Sequence, residues 1–212
     1  MSAQVNDSFV FDNISYNISA VEFPKTFFNI LSLGIKPVSF ETSCKRGYVA
    51  GFSINNEKLV LNSLFTNNSS TIQNEAPLIN GKLPNINIPE GYKDTTCREF
   101  FYKDINLILN YTGSILITKD FIYDMYVHLG FQSLISYNVV IQLTFNDGQF
   151  ISSKDLSDIA ALMRKRKIKK AEKRMGEENL IPWINDCFRG NKRGLVYQNP
   201  YLLQKLKKIK MK

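Results

Sequence analysis

The side chains of this sequence that could catalyse a reaction are few and scattered. The only histidine, His128, lies in an apolar and aromatic segment, whereas a catalytic triad or a metal site normally needs a well-placed imidazole. Cys44 precedes Lys45 and Arg46, whose charges would lower the pKa of its thiol and make the thiolate more available. No phosphate-binding glycine motif occurs. The sequence therefore disfavours an enzyme without excluding one, and we expect no catalytic residue, no metal and no cofactor.

A cationic run near the C-terminus is the stronger chemical signal. Residues 164–174 read RKRKIKKAEKR, in which eight of eleven side chains are basic, and residues 189–193 and 205–212 add further cations. A helix with this spacing places several cations against a phosphate backbone. The side chains that we predict to contact nucleic acid are Arg164, Lys165, Arg166, Lys167, Lys169, Lys170, Lys173, Arg174, Arg189, Lys192 and Arg193.

The charge of the chain is divided unevenly. Residues 1–150 carry 10 Lys and Arg against 13 Asp and Glu, a net charge of −3, whereas residues 151–212 carry 17 against 6, a net charge of +11. A cationic arm on a faintly acidic body indicates an anionic partner: nucleic acid, an acidic protein, a membrane surface or the body itself. No base-reading motif is recognisable, so binding to nucleic acid would be electrostatic and salt-sensitive.

The elements that must position these side chains are mostly strands. Alternating apolar residues around Asn and Gly turns predict hairpins of residues 8–12 with 14–18, 48–54 with 57–64, and 138–145 with 149–152. Further strands are predicted at 86–88, 104–110 and 114–119, with a short helix from Pro24 to a cap at Gly34.

Two segments leave alternatives open. Residues 121–130 fit a strand by composition and a short helix by the position of Gly130. Residues 66–96 form a long polar connection, which is either a functional loop or a cover over one edge of the sheet.

The hydrophobic period changes from two to about 3.6 residues near residue 155. Leu156, Ile159, Ala160 and Met163 share one side of a helix, which we expect to pack its first two turns on the body before the cationic stretch leaves it. The predicted organisation is a β-rich body at 1–153 and a cationic, helix-rich arm at 154–212. The predicted fold class is α+β, a predominantly antiparallel sheet with one short helix and the basic helical arm.

The cysteines and the N-terminus indicate a compartment. Cys44, Cys97 and Cys187 are odd in number and far apart, which argues against a disulfide framework or a zinc site. No leader-like N-terminus and no apolar run of about 18 residues occurs. We therefore expect a cytoplasmic protein without a membrane span, and the sequence does not indicate an oligomeric state.

Two separated segments of the body carry a resemblance. Residues 46–52 read RGYVAGF and residues 126–131 read YVHLGF. The chain resembles a group of small uncharacterised bacterial proteins that share an Arg-Gly-Tyr-x-Ala/Gly-x-Trp/Phe hairpin and a Tyr-Val-His-hydrophobic-Gly-Phe segment. The resemblance covers roughly residues 35–150 and implies a common body without a known activity. Phe52 stands where tryptophan is more usual, and the long basic tail is a further departure.

The resemblance implies a candidate ligand site in the body. Arg46, Tyr48, Tyr126 and His128 would form it if the two segments converge. The alternative interpretation is that the glycines serve turns and the aromatic residues serve the core.

The sequence thus predicts a non-enzymatic intracellular binding protein whose cationic C-terminal arm contacts a polyanion, with RNA or DNA favoured. The alternative is a protein-interaction module, such as an immunity or defence accessory factor. In that case the body binds one partner and the arm meets an acidic protein surface.

Overall fold

Strands are the predominant secondary structure, and they pair mostly in antiparallel fashion. The computed structural model describes residues 3–39, 42–68, 76–87, 98–128 and 130–172. The strands in these ranges are β1 (Ser8–Phe11), β2 (Ile14–Val21), β3 (Tyr48–Asn55), β4 (Lys58–Asn68), β5 (Asn85–Asn87), β6 (Arg98–Tyr102), β7 (Leu107–Ile108), β8 (Gly113–Phe121), β9 (Tyr137–Asn146) and β10 (Gln149–Asp155). The helices are α1 (Pro24–Phe27) and α2 (Ser157–Glu172), with 3₁₀ turns at Ile30–Leu33, Tyr123–Met125 and Leu134–Ser136. The predicted sheet-rich, mostly antiparallel fold is confirmed, whereas residues 173–212 of the predicted arm lie outside the described residues.

The strands form one sheet that closes on itself. Their order is β10-β9-β8-β2-β1-β3-β4-β6-β5, with β7 beside β4. Of the pairings among the described strands, only that of β1 with β3 is parallel, with Phe9 opposite Phe52. β10 returns to β4, where Gln149 pairs with Lys58. The strands from β10 to β4 along this order therefore close into a ring of seven.

The inside of the ring is filled by aromatic and aliphatic side chains. The ring centroids of Phe27 and Phe52 lie 4.8 Å apart, and those of Phe27 and Tyr111 lie 5.2 Å apart. Fully buried large side chains include Phe9, Phe27, Phe52, Phe100, Tyr102, Tyr111 and Phe145. Because burial of one large apolar side chain stabilises a fold by about 1.5–3 kcal/mol, this core holds strands together that are distant in sequence.

The hairpins predicted from turn residues are present. The turn residues Asp12, Asn13, Asn56, Glu57, Asp147 and Gly148 all have positive φ angles. Two-residue turns of this kind match the twist of paired strands. The predicted strand at 86–88 also exists, shifted by one residue as β5. Turn chemistry therefore located three of the antiparallel pairs correctly.

The predicted helix from Pro24 to Gly34 is interrupted. It consists of one α-turn and one 3₁₀ turn, because Phe28 and Asn29 are extended between them. The Phe28 ring packs 5.5 Å from that of Phe52, and the Asn29 side chain accepts a hydrogen bond from Leu31 N–H at 3.1 Å. Tertiary packing thus outweighs the helical period, although Gly34 ends the segment at φ +76° as predicted.

Two other segments differ from the prediction. The strand expected at 104–110 is reduced to Leu107–Ile108, because Asp104 and Asn106 both have φ near +50° and interrupt extended backbone. Among the described residues of 121–130, Phe121 ends β8 and Tyr123–Met125 form one 3₁₀ turn, so a short piece of each predicted alternative is present. The sequence prediction also missed Arg98–Tyr102, which pairs with β4.

The described part of the long connection covers the core. Ala76 and Ile79 belong to the main apolar cluster, and the Tyr102 hydroxyl donates to the Pro77 carbonyl at 2.9 Å. The Asn80 amide donates to the carbonyl of Ile105 at 2.7 Å. These contacts favour the covering role for residues 76–87.

Helix α2 packs on the outer face of the sheet through the predicted residues. Leu156 and Ala160, with Ile159 and Met163 beside them, join a second apolar cluster with Ala20, Leu116, Leu134 and Val140. Asp155 Oδ1 accepts a hydrogen bond from Ser157 N–H at 2.8 Å, which starts the helix. Hydrogen bonds from Ser157 also hold the pKa of Asp155 below its usual value. The boundary between body and arm at residues 153 and 154 stays a prediction, since the first turns of α2 share this cluster with the sheet.

Substitution of Gly47 tests how closely the chain approaches itself before β3. A Cβ at Gly47 would lie 2.7 Å from the backbone carbon of Val38, whereas one at Gly81 would meet no heavy atom within 4 Å. Both residues have positive φ. Gly81→Ala should therefore lower the free energy of unfolding only by the cost of placing alanine in that conformation, about 1–2 kcal/mol. We expect Gly47→Ala to lower the free energy of unfolding, measured in urea, by about 1–3 kcal/mol more than Gly81→Ala does, because the main chain at Val38 must move. Equal losses for the two variants would contradict this account.

Alkaline pH should unfold the protein through its buried tyrosines. Burial raises the pKa of Tyr102 to about 12, and it raises the pKa of Tyr111 and Tyr137 above the ordinary value of 10.0. The folded state therefore retains protons that the unfolded chain releases near pH 10, so the free energy of unfolding falls as pH rises from 10 through 12.

Tyrosinate absorbance and circular dichroism across this pH range measure the effect. We expect late tyrosinate formation to coincide with loss of the sheet signal, and Tyr102→Phe to reduce the pH dependence. Complete titration of the tyrosines with an intact sheet would argue against it.

Candidate functional site

The predicted ligand residue Arg46 is bound inside the protein by a buried carboxylate. Its Nη1 and Nη2 groups each donate to Asp7 at 2.9 Å, and Nη2 also donates to the carbonyl of Val5 at 3.1 Å. Asp7 Oδ1 accepts a further hydrogen bond from Ala50 N–H at 2.8 Å. Asp7 is fully buried and Arg46 is 9% exposed. The pair therefore connects the residues just before β1 with those that begin β3.

The surroundings of this pair enclose the cation. The Arg46 guanidinium lies 4.9 Å from the ring centroid of Tyr48 and 5.5 Å from that of Phe131. Desolvation is the largest single effect and acts to lower the pKa of Arg46, but the attraction and hydrogen bonds of Asp7, together with Tyr48 and Cys44, raise this pKa overall. Burial raises the pKa of Tyr48 and of Asp7, although Arg46 acts in the opposite direction on both. The guanidinium is thus a structural cation whose donors serve the fold.

The two segments that carry the resemblance do converge. Gln4 N–H donates to the Gly130 carbonyl at 2.8 Å, and Gln4 Oε1 accepts from Lys45 N–H at 3.0 Å. The N-terminal residues therefore lie between the loop before β3 and the segment that ends at Phe131. Arg46 stacks on Phe131 at the point where the two segments meet.

Burial separates the four predicted ligand residues into two pairs. Arg46 and Tyr48 belong to the enclosed group around Asp7. Tyr126 and His128 are exposed, and the Tyr126 hydroxyl lies 3.2 Å from His128 Nδ1. Access to a partner is therefore open at the second pair, whereas the first pair is largely covered.

Cys44 does not have the reactive environment expected from its neighbours. It is buried, and its thiol donates to the Tyr48 carbonyl at 3.3 Å. Burial raises the pKa of the Cys44 thiol and outweighs the opposing effect of Arg46, so the expected lowering of this pKa is wrong.

Clusters of metal-binding side chains are absent from the part of the chain that the structure describes. In it, His, Cys, Asp and Glu side chains do not gather in any group of three or more that could hold a metal ion. Among the described residues, no helix combines the length and the apolar character needed to cross a bilayer.

An exposed aromatic surface lies at the segment after β8. We use this name for Tyr123, Tyr126 and His128. Tyr123 is 84% exposed and Tyr126 is 51% exposed. Both rings contact Phe121, whose centroid lies 5.6 Å and 6.4 Å from theirs in T-shaped arrangements. Large aromatic side chains left open to solvent in a group commonly mark a binding surface.

The cationic side of α2 begins with an anchored residue. Arg164 Nε donates to the Ile135 carbonyl and Arg164 Nη2 to the Tyr137 carbonyl, both at 2.7 Å. This side chain, predicted to contact nucleic acid, therefore fixes the helix to the sheet, whereas Lys165 and Arg166 are exposed. The structure does not describe the side chains of Lys167, Lys169 and Lys170, and the predicted contacts Lys173, Arg174, Arg189, Lys192 and Arg193 lie outside the described residues.

One short segment supports both the aromatic surface and α2. The Ser136 carbonyl accepts from Ile122 N–H at 2.8 Å, and the Tyr137 ring lies 5.2 Å from that of Phe121. The same segment supplies the carbonyls that bind Arg164. Exposed aromatic rings and exposed cations are therefore attached to a common support. Sequence reasoning selected Tyr126 and His128 but missed Tyr123, although the aromatic run from residue 121 to 126 was a visible signal.

Known proteins give no direct guide to the function of this chain. No protein-family model matches it, and neither a curated protein nor a solved structure does. The resemblance to the group of bacterial proteins therefore stays a prediction. Function has to be inferred from the residues of this chain alone.

A double-mutant cycle tests the structural role of the Asp7–Arg46 pair. Removing one partner leaves a buried charge without compensation, so Asp7→Ala should lower the free energy of unfolding by about 3–5 kcal/mol. We expect the double variant Asp7→Ala/Arg46→Ala to lower the free energy of unfolding, measured in urea, by less than the two single variants do together, because neither charge remains. Lys45→Ala is the control, with a change below about 0.5 kcal/mol at an exposed side chain. Additive losses would show that the two residues do not act as a pair.

Proposed function

We propose that this is a binding protein for a polyanion, with RNA or DNA as the favoured partner. In this proposal the cations begin at the exposed side of α2 and continue into residues 173–212. The observation that carries the proposal is the division of charge, with a net charge of −3 in residues 1–150 and +11 in residues 151–212. Phosphate backbones attract such a concentration of Lys and Arg through release of condensed counterions.

The contacts of α2 with the sheet fix the position of the first cations in the run. Leu156 and Ala160 hold one side of the helix on the sheet, and Arg164 ties the next turn to two carbonyls. Lys165 and Arg166 follow immediately and are exposed. The first cations of the run are therefore presented from a fixed point of the fold, which lowers the entropy lost on binding.

Docking of the arm on its own body is a weaker account of the charge. Even complete compensation by the body leaves a net charge of +8 on the whole chain. The remaining positive charge is available to an external polyanion.

Binding of the full-length chain to labelled RNA and duplex DNA across a salt series tests the proposal. The main variant changes to Gln the Lys and Arg residues of 165–174, 189–193 and 205–212 together. Arg164 is kept because it anchors the helix. We expect a steep negative log–log salt dependence for the wild type, and a slope shallower by about one unit for each phosphate that the variant no longer neutralises.

The matched control is Lys36→Gln/Lys82→Gln, which removes charge from exposed lysines of the body. It should bind like the wild type. Undiminished binding after the Gln changes in all three segments would refute the proposal. A stoichiometric protein partner that is recovered after nuclease treatment would favour the alternative, a protein-interaction module.

Substitution is preferable to removal of the arm at residue 153. That truncation would also remove Leu156 and Ala160 and uncover the apolar cluster formed with Leu116 and Val140. Loss of binding could then follow from misfolding.

A further inference from the structure

We infer that the partner is a single-stranded nucleic acid whose bases stack on Tyr123 and Tyr126 while its phosphates meet the first exposed cations of α2. This inference rests on the proposed function and specifies its substrate class. It assigns binding to a part of the body that lies outside the cationic arm.

The two exposed tyrosines are supported by other rings beneath them. Tyr123 is 84% exposed and Tyr126 is 51% exposed, so each has ring surface open to a partner. Phe121 supports both through T-shaped contacts with interplanar angles of 85° and 87°. Phe121 in turn packs against Tyr137, which is buried. The exposed rings are therefore held from below, as a stacking platform requires.

The cations of α2 are linked to the same support. The Tyr137 backbone carbonyl accepts from Arg164 Nη2, and the Tyr137 ring contacts Phe121. A short path of direct contacts thus leads from the exposed tyrosines to the turn of α2 that precedes Lys165 and Arg166. Proteins that bind single strands combine these two features, a cationic track for the backbone and aromatic faces for the bases.

Base stacking distinguishes single strands from duplexes. In a duplex each base is already stacked and paired, so its face is not available to a tyrosine. A duplex can therefore use only the cations, whereas a single strand gains affinity from each base stacked on an aromatic side chain. The platform should make the protein prefer single strands at equal charge.

The test uses the full-length protein with a fluorescein-labelled single-stranded oligonucleotide and the duplex made from it. Tyr123→Leu/Tyr126→Leu keeps apolar bulk but removes the aromatic faces, and Tyr123→Phe/Tyr126→Phe keeps the faces. We expect the Leu variant to bind the single strand about 10- to 100-fold more weakly, because one or two bases no longer stack. Its affinity for the duplex should stay within about twofold of the wild type.

The control variants distinguish the loss of base stacking from an unspecific effect of substituting an exposed aromatic residue. The Phe variant should bind the single strand like the wild type. Phe23→Leu removes another exposed aromatic ring, 54% exposed, and should leave both affinities unchanged. Tyr123→Leu alone serves if the double variant is less stable, because this ring is mostly in solvent.

Several outcomes would overturn the inference, and they differ from failure of the proposed function. If the Leu variant binds the single strand like the wild type while the Gln variant of the arm loses binding, the inference fails and the proposed function stands. Equal losses on single strand and duplex also overturn it. If the wild type binds neither probe, both fail, and a protein partner that the Leu variant no longer binds would then identify the aromatic surface as a protein-binding surface.

Discussion

The buried ion pair between Asp7 and Arg46 fixes the arrangement on which the rest of the sheet depends. It lies where β1 and β3 begin, and Ala50 N–H on β3 completes the carboxylate's hydrogen bonds. β1 and β3 are also the parallel pair in an otherwise antiparallel order of the described strands. Two charges can remain buried here because they pair with each other at two positions and make further hydrogen bonds with the backbone. β2 and β4 each join this parallel pair through a tight hairpin turn, which sets their registers.

The burial of this pair separates the candidate ligand residues into a covered group and an exposed group. Its donors and aromatic neighbours are used inside, so Arg46 and Tyr48 have little left to offer a ligand. The exposed chemistry lies instead at Tyr123, Tyr126 and the first cations of α2, which share a support in Ser136 and Tyr137. Residues that were grouped by sequence resemblance are thus separated by burial, and residues far apart in sequence are attached to one support.

The sequence predicted the features that depend on local physics. Asn and Gly turns located hairpins, and the stripe from Leu156 to Met163 located the start of α2 and its buried side. Long-range contacts could not be predicted from the sequence. These are the Asp7–Arg46 pair, the closure of the sheet and the packing of Phe28 that interrupts the first helix. The aromatic run that contains Tyr123 is visible in the sequence, but such a run is typical of a core, and only the fold shows which of its rings are exposed.

The closure of the ring at β4 affects the rate and the order of folding. Local hairpins form early, but the pairing of Lys58 with Gln149 must wait until most of the chain exists. Contacts of such long sequence separation slow folding. During synthesis the edge of β4 would be open to mispairing, except that β6 and β7 pair along Val60–Leu61 and Leu64–Asn68 before β10 is made. The short strands that follow β4 therefore cover most of its edge already in the nascent chain, and only the first residues of β4 wait for the last strand.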